Sequence, residues 1–467
     1  MNIQGIRDSV VHGEKSARAW VEDCFLRAEA ASEYHALLSF TRERAYERAD
    51  AIDAAIARGE DPGKLAGVPF VVKDNFLAFG APTTAAAKIL ENFMAPVQAA
   101  AVERLEHEGA ICIGKSNLDA FAHGGSTENS AYGVTHNAID TTKVAGGSSG
   151  GSAVVTALDI VPFALGTDTG GSIRQPASFN GVYGMKPTYG AVSRYGVIAM
   201  ASSTDTIGCF ARSTHDVAVV MSVMAGQDPR DMTTIPDVAM DISNNSDHSL
   251  KIGIIEETMT DNIQPEVRES VHALKKQLET QGHSVTMVSL PMMHYTLAMY
   301  YIIVPAEISS NLARYDGVRF GTRAQAAATL AELYGKSRGQ GFVTENKRRI
   351  MIGSYVLSSG YFDAYYQQAQ KARTLLIRDY NELFASYDIL ITPTAPTTAF
   401  AIGENSGDPV KMYLADIMTV PPSLAGLPAL NIPYGVDNQG LPIGIQLVGQ
   451  RRTDAMLLQL AASLEEQ

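Results

Sequence analysis

The second half of the chain contains a strand, a helix and another strand in direct succession. The apolar run KIGIIEE begins at Lys251, the amphipathic segment PEVRESVHALKKQLETQ is closed by Gly282, and the apolar run HSVTMVSL follows. Such units build parallel or mixed sheets that are covered by helices. The sequence therefore predicts an α/β fold.

Two further segments show the same alternation. The segment from Ala100 to Glu108 has the pattern of a helix and leads into AICIG, a β-branched run of strand length. A long amphipathic helix is predicted from about Tyr361 to Ser386, and it is followed by DILITPTAPT, a strand and then a proline-rich loop. The apolar stripe of that helix comprises Phe362, Tyr365, Ala369, Ala372, Leu376, Tyr380 and Leu383.

Composition and charge limit the function classes. The 37 basic and 50 acidic residues give a net charge of −13, which disfavours direct binding of nucleic acid by this chain. Cys24, Cys112 and Cys209 form no CxxC pair, which fits a reducing compartment. The amino terminus has no signal-peptide pattern and no 18-residue apolar run occurs, so a cytoplasmic protein without a membrane segment is expected.

One short motif imitates a nucleotide site. Residues 109–116, GAICIGKS, satisfy the P-loop pattern, but Ala-Ile-Cys-Ile is apolar and β-branched and should form a strand. A phosphate cradle needs a flexible turn at that place, so nucleotide binding is disfavoured. The ten histidines are scattered without metal-binding spacing, and no metal site is expected.

Two runs rich in glycine and serine, GGSSGGS at 146–152 and GTDTGGS at 166–172, carry the strongest chemical signal. Glycine lets backbone N–H groups converge, so the N–H groups from Thr169 to Ser172 suit a developing oxyanion. The Ser172 hydroxyl beside them suits a nucleophile. In the first run, Ser149 and Ser152 precede or begin a helix-like segment, and helix capping is the favoured role for both.

A serine nucleophile needs a base, and Lys73 in GVPFVVKDNF is the best candidate. It follows an apolar run, and burial would keep its amine neutral. On spacing alone, an ion pair between Lys73 and Asp74 at the strand end is the favoured interpretation.

The segments GVPFVVKDNF, GGSSGGSA and GTDTGGSIRQPASFNGVYGMKPTYG, in this order, resemble the amidase signature family, which hydrolyses amides with a Ser-cisSer-Lys triad. The resemblance implies Ser172 as the nucleophile, Ser148 as the bridging serine and Lys73 as the base. It places the oxyanion hole on the backbone of Thr169, Gly170, Gly171 and Ser172. It also implies one domain over residues 1–467, with a signature core at about 60–220 and a large, mixed, twisted sheet covered by helices on both faces. The polar stretch 227–250 is the best linker candidate.

Other segments, among them GKSNLDAFAHGGSTENSAYG and MYLADIMTVPPSLAGLPAL, resemble one branch of that family, the glutaminase components of tRNA-dependent amidotransferases. That resemblance implies glutamine as the substrate and ammonia as the product. It implies a B subunit that uses ATP and Mg²⁺ and binds the charged tRNA, a C subunit that clamps the other two, and no cofactor in this chain. Whether Glu-tRNA(Gln), Asp-tRNA(Asn) or both are served depends on the partners.

The zwitterionic end of glutamine needs a cation and an anion. The resemblance assigns Arg349, rather than Arg348, and Asp416 to these roles, with Tyr300 lining the pocket. Four departures from the family pattern, Ala145, Thr206, Cys209 and Ser423, are expected near the pocket rim or the partner surface. A stand-alone amidase that acts on another amide and a non-catalytic assembly protein remain the alternatives.

Overall fold

A computed structural model describes residues 1–242, 249–405 and 407–465. In these ranges eleven strands form one sheet, in the order β1-β3-β2-β4-β6-β5-β10-β11-β9-β7-β8. The strands are β1 Leu37–Phe40, β2 Pro69–Lys73, β3 Ile111–Ser116, β4 Phe163–Asp168, β5 Tyr183–Lys186, β6 Thr206–Ala211, β7 Lys251–Ile255, β8 Ser284–Val288, β9 Ile389–Pro393, β10 Ala429–Val436 and β11 Pro442–Gly449.

The sheet is mixed. Strand β2 runs parallel to β3 and β4, and β7 runs parallel to β8 and β9, whereas β4, β6, β5, β10, β11 and β9 pair antiparallel in succession. The predicted strand, helix, strand unit corresponds to β7, a helix over Pro265–Thr280, and β8. Pro265 stands in the first turn of that helix, and Gly282 with φ of +90° ends it, as the sequence indicated. The predicted α/β fold is confirmed.

Helices cover both faces of the sheet because its strands are apolar on both sides. Along β9, Ile389 and Ile391 belong to one hydrophobic cluster and Leu390 belongs to the other. The helices are α1 Ile3–Val11, α2 Ala17–Ala30, α3 Arg42–Ala57, α4 Ala100–His107, α5 Gly150–Ala157, α6 Arg174–Asn180, α7 Thr214–Met224, α8 Pro265–Thr280, α9 Thr296–Asn311, α10 Leu330–Gly341, α11 Thr344–Val356, α12 Gln368–Phe384, α13 Pro409–Leu414, α14 Val420–Ala425 and α15 Asp454–Glu465.

Two predicted segments differ in detail from the structure. The helix predicted from about 361 begins with a π-helical stretch, Phe362–Gln367, before α12. Phe362 and Tyr365 are exposed, so the buried stripe starts only at Ala369. The predicted linker 227–250 contains residues 243–248, which lie outside the described residues. Before them, Val238 and Met240 are buried in the same hydrophobic cluster as Ile389.

The apparent P-loop is a strand, as expected from its β-branched residues. Residues 111–116 form β3, and Lys115 is fully buried 3.0 Å from Asp74 in an ion pair. Among the described helices, none is long and apolar enough to cross a membrane.

Candidate active site

Topology brings the two glycine loops and Lys73 to one edge of the sheet. Strands β2 and β4 are adjacent and parallel, so their carboxyl ends lie side by side. Lys73 is the last residue of β2, and the second loop begins as β4 ends at Asp168. The first loop leads into α5, and its Ser149 N–H donates to the Ser172 carbonyl at 3.2 Å. The two loops therefore touch.

The Lys73 amine is fully buried and lies among hydroxyl groups. Its Nζ atom is 2.8 Å from Ser148 Oγ, 2.8 Å from Ser149 Oγ and 2.9 Å from Thr167 Oγ1. Burial lowers the pKa of Lys73 to about 7, although nearby carboxylates, Asp119 first among them, oppose the shift. The amine can therefore lose its proton near neutral pH.

The prediction, from spacing alone, of an ion pair between Lys73 and Asp74 is wrong. Asp74 instead forms an ion pair with Lys115 through Oδ1, and its Oδ2 accepts from the Thr84 N–H. Lys115 reaches this carboxylate because β3 lies beside the end of β2. Hydroxyl groups rather than a carboxylate thus contact the Lys73 amine.

The expected capping roles of Ser149 and Ser152 are also wrong. Ser149 stands at the N-cap of α5 without a capping bond from its side chain, and its Oγ donates to the Thr167 carbonyl at 3.2 Å. Ser152 lies inside the helix and donates to the Leu165 carbonyl at 2.8 Å. Both side chains connect α5 to β4 rather than satisfying the helix terminus.

The first loop is held by Asp119. The peptide bond between Gly147 and Ser148 is cis, and the Asp119 N–H donates to the Ser148 carbonyl at 3.2 Å. The Asp119 carboxylate accepts from the N–H groups of Ser126 at 3.3 Å and Thr127 at 2.9 Å. A Cβ atom at Gly147 would lie 2.2 Å from Asp119 Oδ2, so only glycine allows this approach.

The second loop offers free backbone donors. The N–H groups of Gly170, Gly171 and Ser172 donate to no described residue. Ser172 retains 8% exposure, whereas Ser148 is fully buried. The loop therefore holds a slightly exposed hydroxyl group next to several N–H groups that no described residue accepts from.

A buried ion pair closes this loop. Asp168 at its start and Arg174 at its end are fully buried, and Arg174 donates to both Asp168 carboxylate oxygens at 3.0 and 2.7 Å. Arg174 also donates to the Ser423 hydroxyl at 2.7 Å. Burial alone would raise the pKa of Asp168, but the Arg174 guanidinium holds it below its usual range.

A second carboxylate supports the loop at Thr169. The Thr169 hydroxyl donates to Asp205 at 2.7 Å, and the N–H groups of Met200 and Ala201 also donate to Asp205. Burial raises the pKa of Asp205 to about 6.

Arg349, Asp416 and Tyr300 converge beside this loop. Arg349 is buried, its Nε donates to Glu345 at 2.8 Å, and its guanidinium lies over the Tyr301 ring. Arg348 is exposed instead and pairs with the other oxygen of Glu345.

Asp416 has one carboxylate oxygen without a partner in the described part of the chain. Its Oδ1 atom is buried and has no hydrogen-bond partner among the described residues. Burial raises the pKa of Asp416 to about 8, and the Arg349 charge opposes the shift. The Tyr300 ring packs so closely on the loop that a Cβ atom at Gly170 would lie 2.7 Å from it. Arg349 also lies near enough to Asp416 and Tyr300 for its charge to oppose the rise in the pKa of both groups.

Comparison with known proteins identifies the family. A family model described as Amidase matches residues 19–458. The chain belongs to the amidase family.

Within that family, the chain is similar to proteins named as the A subunit of glutamyl-tRNA(Gln) amidotransferase. It is 48% identical over 469 residues to the A subunit of glutamyl-tRNA(Gln) amidotransferase from Thermosynechococcus vestitus, covering 99% of this chain and 97% of that protein. The protein of the same name from Gloeobacter violaceus is 49% identical over 470 residues, covering 100% and 96%. The crystal structure of the corresponding glutamyl-tRNA(Gln) amidotransferase protein from Thermotoga maritima has a TM-score of 0.79 at 36% identity, covering 100% of this chain and 94% of that one.

The four departures do not lie on the surface. Ala145, Cys209 and Ser423 are buried, so the expected position at the pocket rim or partner surface is wrong for these three. Thr206 is buried as well, but it lines a cavity together with Thr167 and Asp205. Cys209 pairs with Leu165 inside the sheet, and the Ser423 hydroxyl also lies 3.3 Å from Asp168. Thr206, Cys209 and Ser423 therefore lie beside β4, the strand that leads into the second loop.

Sequence reasoning missed several residues that shape the site. They are Asp119, Thr167, Asp205 and Thr419, and Ser149 in its contact with Lys73. Ser149 and Thr167 stand within the two glycine motifs, so the motifs themselves were the usable signal. Asp119 and Thr419 stand in two segments that resemble the family, GKSNLDAFAHGGSTENSAYG and MYLADIMTVPPSLAGLPAL. No residue pattern in these segments, or around Asp205, indicates a contact with the loops.

Proposed function

We propose that this chain hydrolyses the side-chain amide of glutamine and serves as the ammonia-releasing component of a tRNA-dependent amidotransferase. One observation carries the proposal: a buried lysine amine contacts a serine hydroxyl directly beneath a loop that holds Ser172 and free N–H groups. The names of the relatives support the assignment of the substrate and the complex.

The proposed chemistry begins with neutral Lys73. Lys73 takes the proton of Ser148, Ser148 takes the proton of Ser172, and Ser172 Oγ bonds to the amide carbon. The N–H groups from Thr169 to Ser172 stabilise the oxyanion. The protons then pass back to the amide nitrogen as its bond to carbon breaks, which releases ammonia and leaves an ester on Ser172. Water attacks this ester through the same relay and releases glutamate.

We assign substrate recognition to the opposite charges of Arg349 and Asp416. Arg349 would bind the α-carboxylate of glutamine, and ionised Asp416 would bind the α-ammonium. The burial of Arg349 and its fixed contacts with Glu345 and Tyr301 favour it over exposed Arg348. Tyr300 would form the wall between the charged end and the loop.

The remaining steps belong to partners. We assign ATP and Mg²⁺ use to a B subunit, which would also bind most of the charged tRNA, and we assign the clamping of both proteins to a C subunit. The net charge of −13 is consistent with a chain that does not bind tRNA strongly itself. A cytoplasmic location and the absence of a cofactor in this chain are part of the same proposal.

The test measures ammonia and glutamate released from glutamine by the chain coexpressed with its B and C subunits. Equal amounts of both products, abolished by Ser172→Ala without a change in the thermal unfolding midpoint, would support the proposal. If the chain forms no complex and cleaves simple amides without preference for glutamine, it is a stand-alone amidase instead. Unchanged ammonia release by Ser172→Ala would exclude Ser172 as the nucleophile.

A further inference from the structure

Thr419 lies between the second glycine loop and the turn that contains Asp416. Its side chain is fully buried, and its hydroxyl donates to the Gly170 carbonyl at 2.7 Å. The same hydroxyl lies 3.1 Å from the Asp416 carbonyl, to which the Thr419 N–H also donates at 3.1 Å. One threonine thus contacts both the loop and the backbone of the candidate ammonium ligand.

The loop is confined between two side chains. A Cβ atom at Gly171, where φ is +151°, would lie 2.1 Å from Thr419 Oγ1, and a Cβ atom at Gly170 would lie 2.7 Å from the Tyr300 ring. Close contact on both sides fixes the direction of the intervening N–H groups. Glycine is required at both places because any side chain would move the loop away from its supports.

The other end of Thr419 is anchored as well. Its carbonyl accepts from the buried Arg174 guanidinium at 2.8 Å, and Arg174 in turn binds Asp168 at the start of the loop. The hydrogen bond from Arg174 therefore restrains the Thr419 backbone, so Thr419 has little freedom to follow a displaced loop.

We infer that Thr419 is a positioning residue, whose hydroxyl aligns the oxyanion-binding N–H groups of the loop. The same hydroxyl links this alignment to the binding of a substrate cation by Asp416. The inference rests on the proposed function for its substrate. A ligand cation bound to Asp416 would fix the turn 416–419, and the Thr419 hydroxyl would transmit that order to Gly170. Misalignment of a reacting group by a fraction of an ångström reduces the rate of the chemical step more than binding.

The test uses Thr419→Val, which removes the hydroxyl at nearly constant volume, and Thr419→Ser, which keeps it. We expect Thr419→Val to lower kcat by roughly ten- to a hundredfold for both glutamine and an uncharged simple amide, with KM for the simple amide nearly unchanged. Thr419→Ser should recover most of kcat. Thr258→Val is the matched control, because Thr258 is a fully buried threonine whose hydroxyl donates to the Ile255 carbonyl outside the site.

A double-mutant cycle tests the link to Asp416. With glutamine, the loss in kcat/KM for Thr419→Val combined with Asp416→Ala should be smaller than the product of the two single losses. Multiplicative losses would overturn the link. Wild-type kcat in Thr419→Val, equal impairment in Thr419→Ser, or a kcat loss of the same size in Thr258→Val would overturn the positioning role.

Two controls separate this inference from the proposed function. Ser172→Ala should be inactive toward both amides, and activity in that variant would contradict the proposed function while leaving the Thr419 comparison unaffected. If glutamine is not the substrate, the simple amide still reports on the alignment of the loop.

Discussion

The side-chain nitrogen of Lys73 lies 2.8 Å from the hydroxyl oxygen of Ser148. Ser149 is equally close, so distance alone does not distinguish the two serines. The hydrogen bonds that the two hydroxyl groups donate do distinguish them. The Ser149 hydroxyl donates to the Thr167 carbonyl, whereas the Ser148 hydroxyl donates to no described residue. The Ser148 hydroxyl is therefore the one whose proton is available for the proposed relay between Lys73 and Ser172.

This difference predicts unequal effects of alanine at the two serines. Ser148→Ala should reduce kcat for amide hydrolysis by several orders of magnitude, because it would interrupt the proposed relay. Ser149→Ala should reduce kcat only about tenfold, because it removes one of several contacts that hold the amine. Single-turnover measurements on both variants check the prediction, and equal losses would contradict the assignment of Ser148.

The lowered pKa of Lys73 predicts the pH dependence of the reaction. In the proposed mechanism the neutral amine of Lys73 is the active form, and the pKa of Lys73 is about 7, so kcat/KM should rise as pH increases through about 7 and then level off. An uncharged simple amide is the suitable substrate, because its binding does not depend on the protonation of Asp416. Lys73→Arg should be nearly inactive at every pH, since a guanidinium does not deprotonate in this range. An active arginine variant would mean that Lys73 acts only through its charge.

The part of the fold that the sequence predicts correctly is local. The unit β7, α8, β8 was recognisable because Pro265 and Gly282 mark the ends of the helix. In addition, apolar residues recur at a different spacing in the helix than in the strands. The strand order was not recognisable, because β5 pairs with β10 more than 240 residues later, as the contact between Lys186 and Ala429 shows. Such pairings depend on tertiary packing that no short segment encodes.

The candidate site shows the same division. The motifs contain the residues that surround Lys73, but the local expectation of a pair with Asp74 failed because β3 delivers Lys115 to that carboxylate. The contact of Thr419 with Gly170 joins residues separated by 249 positions, so only the folded chain reveals it. The roles of the site residues stay predictions until their variants are measured.

The buried pair between Asp168 and Arg174 predicts a large stability effect. Arg174→Ala leaves the Asp168 carboxylate buried and unpaired, which should lower the free energy of unfolding by about 3–5 kcal/mol. Urea unfolding at neutral pH measures this loss. Arg48→Ala is a control at a partly buried arginine outside the site.

The pH dependence of that loss has a definite sign. In the wild type the pKa of Asp168 is depressed, so the pair stabilises the chain above the unfolded pKa of about 3.9 and the contribution is lost as pH falls through the folded value. In Arg174→Ala the pKa of Asp168 should instead be raised by burial, so protonation relieves the unpaired charge. The difference between the two proteins should therefore shrink as pH falls, and a difference that is constant with pH would contradict this account.

The charged residues beside the loop predict a split between two substrates. Arg349→Ala and Asp416→Ala should each raise the KM for glutamine about ten- to a hundredfold, because a charge-assisted contact to a substrate contributes roughly 1.5–3 kcal/mol. An uncharged simple amide makes neither contact, so its kinetics should change little in both variants. Arg348→Ala is the matched control for Arg349, because Arg348 is the exposed neighbour that contacts the same Glu345. If Arg349→Ala and Asp416→Ala leave the kinetics for glutamine unchanged, these residues do not recognise its charged end, and a stand-alone amidase becomes the better description of the chain.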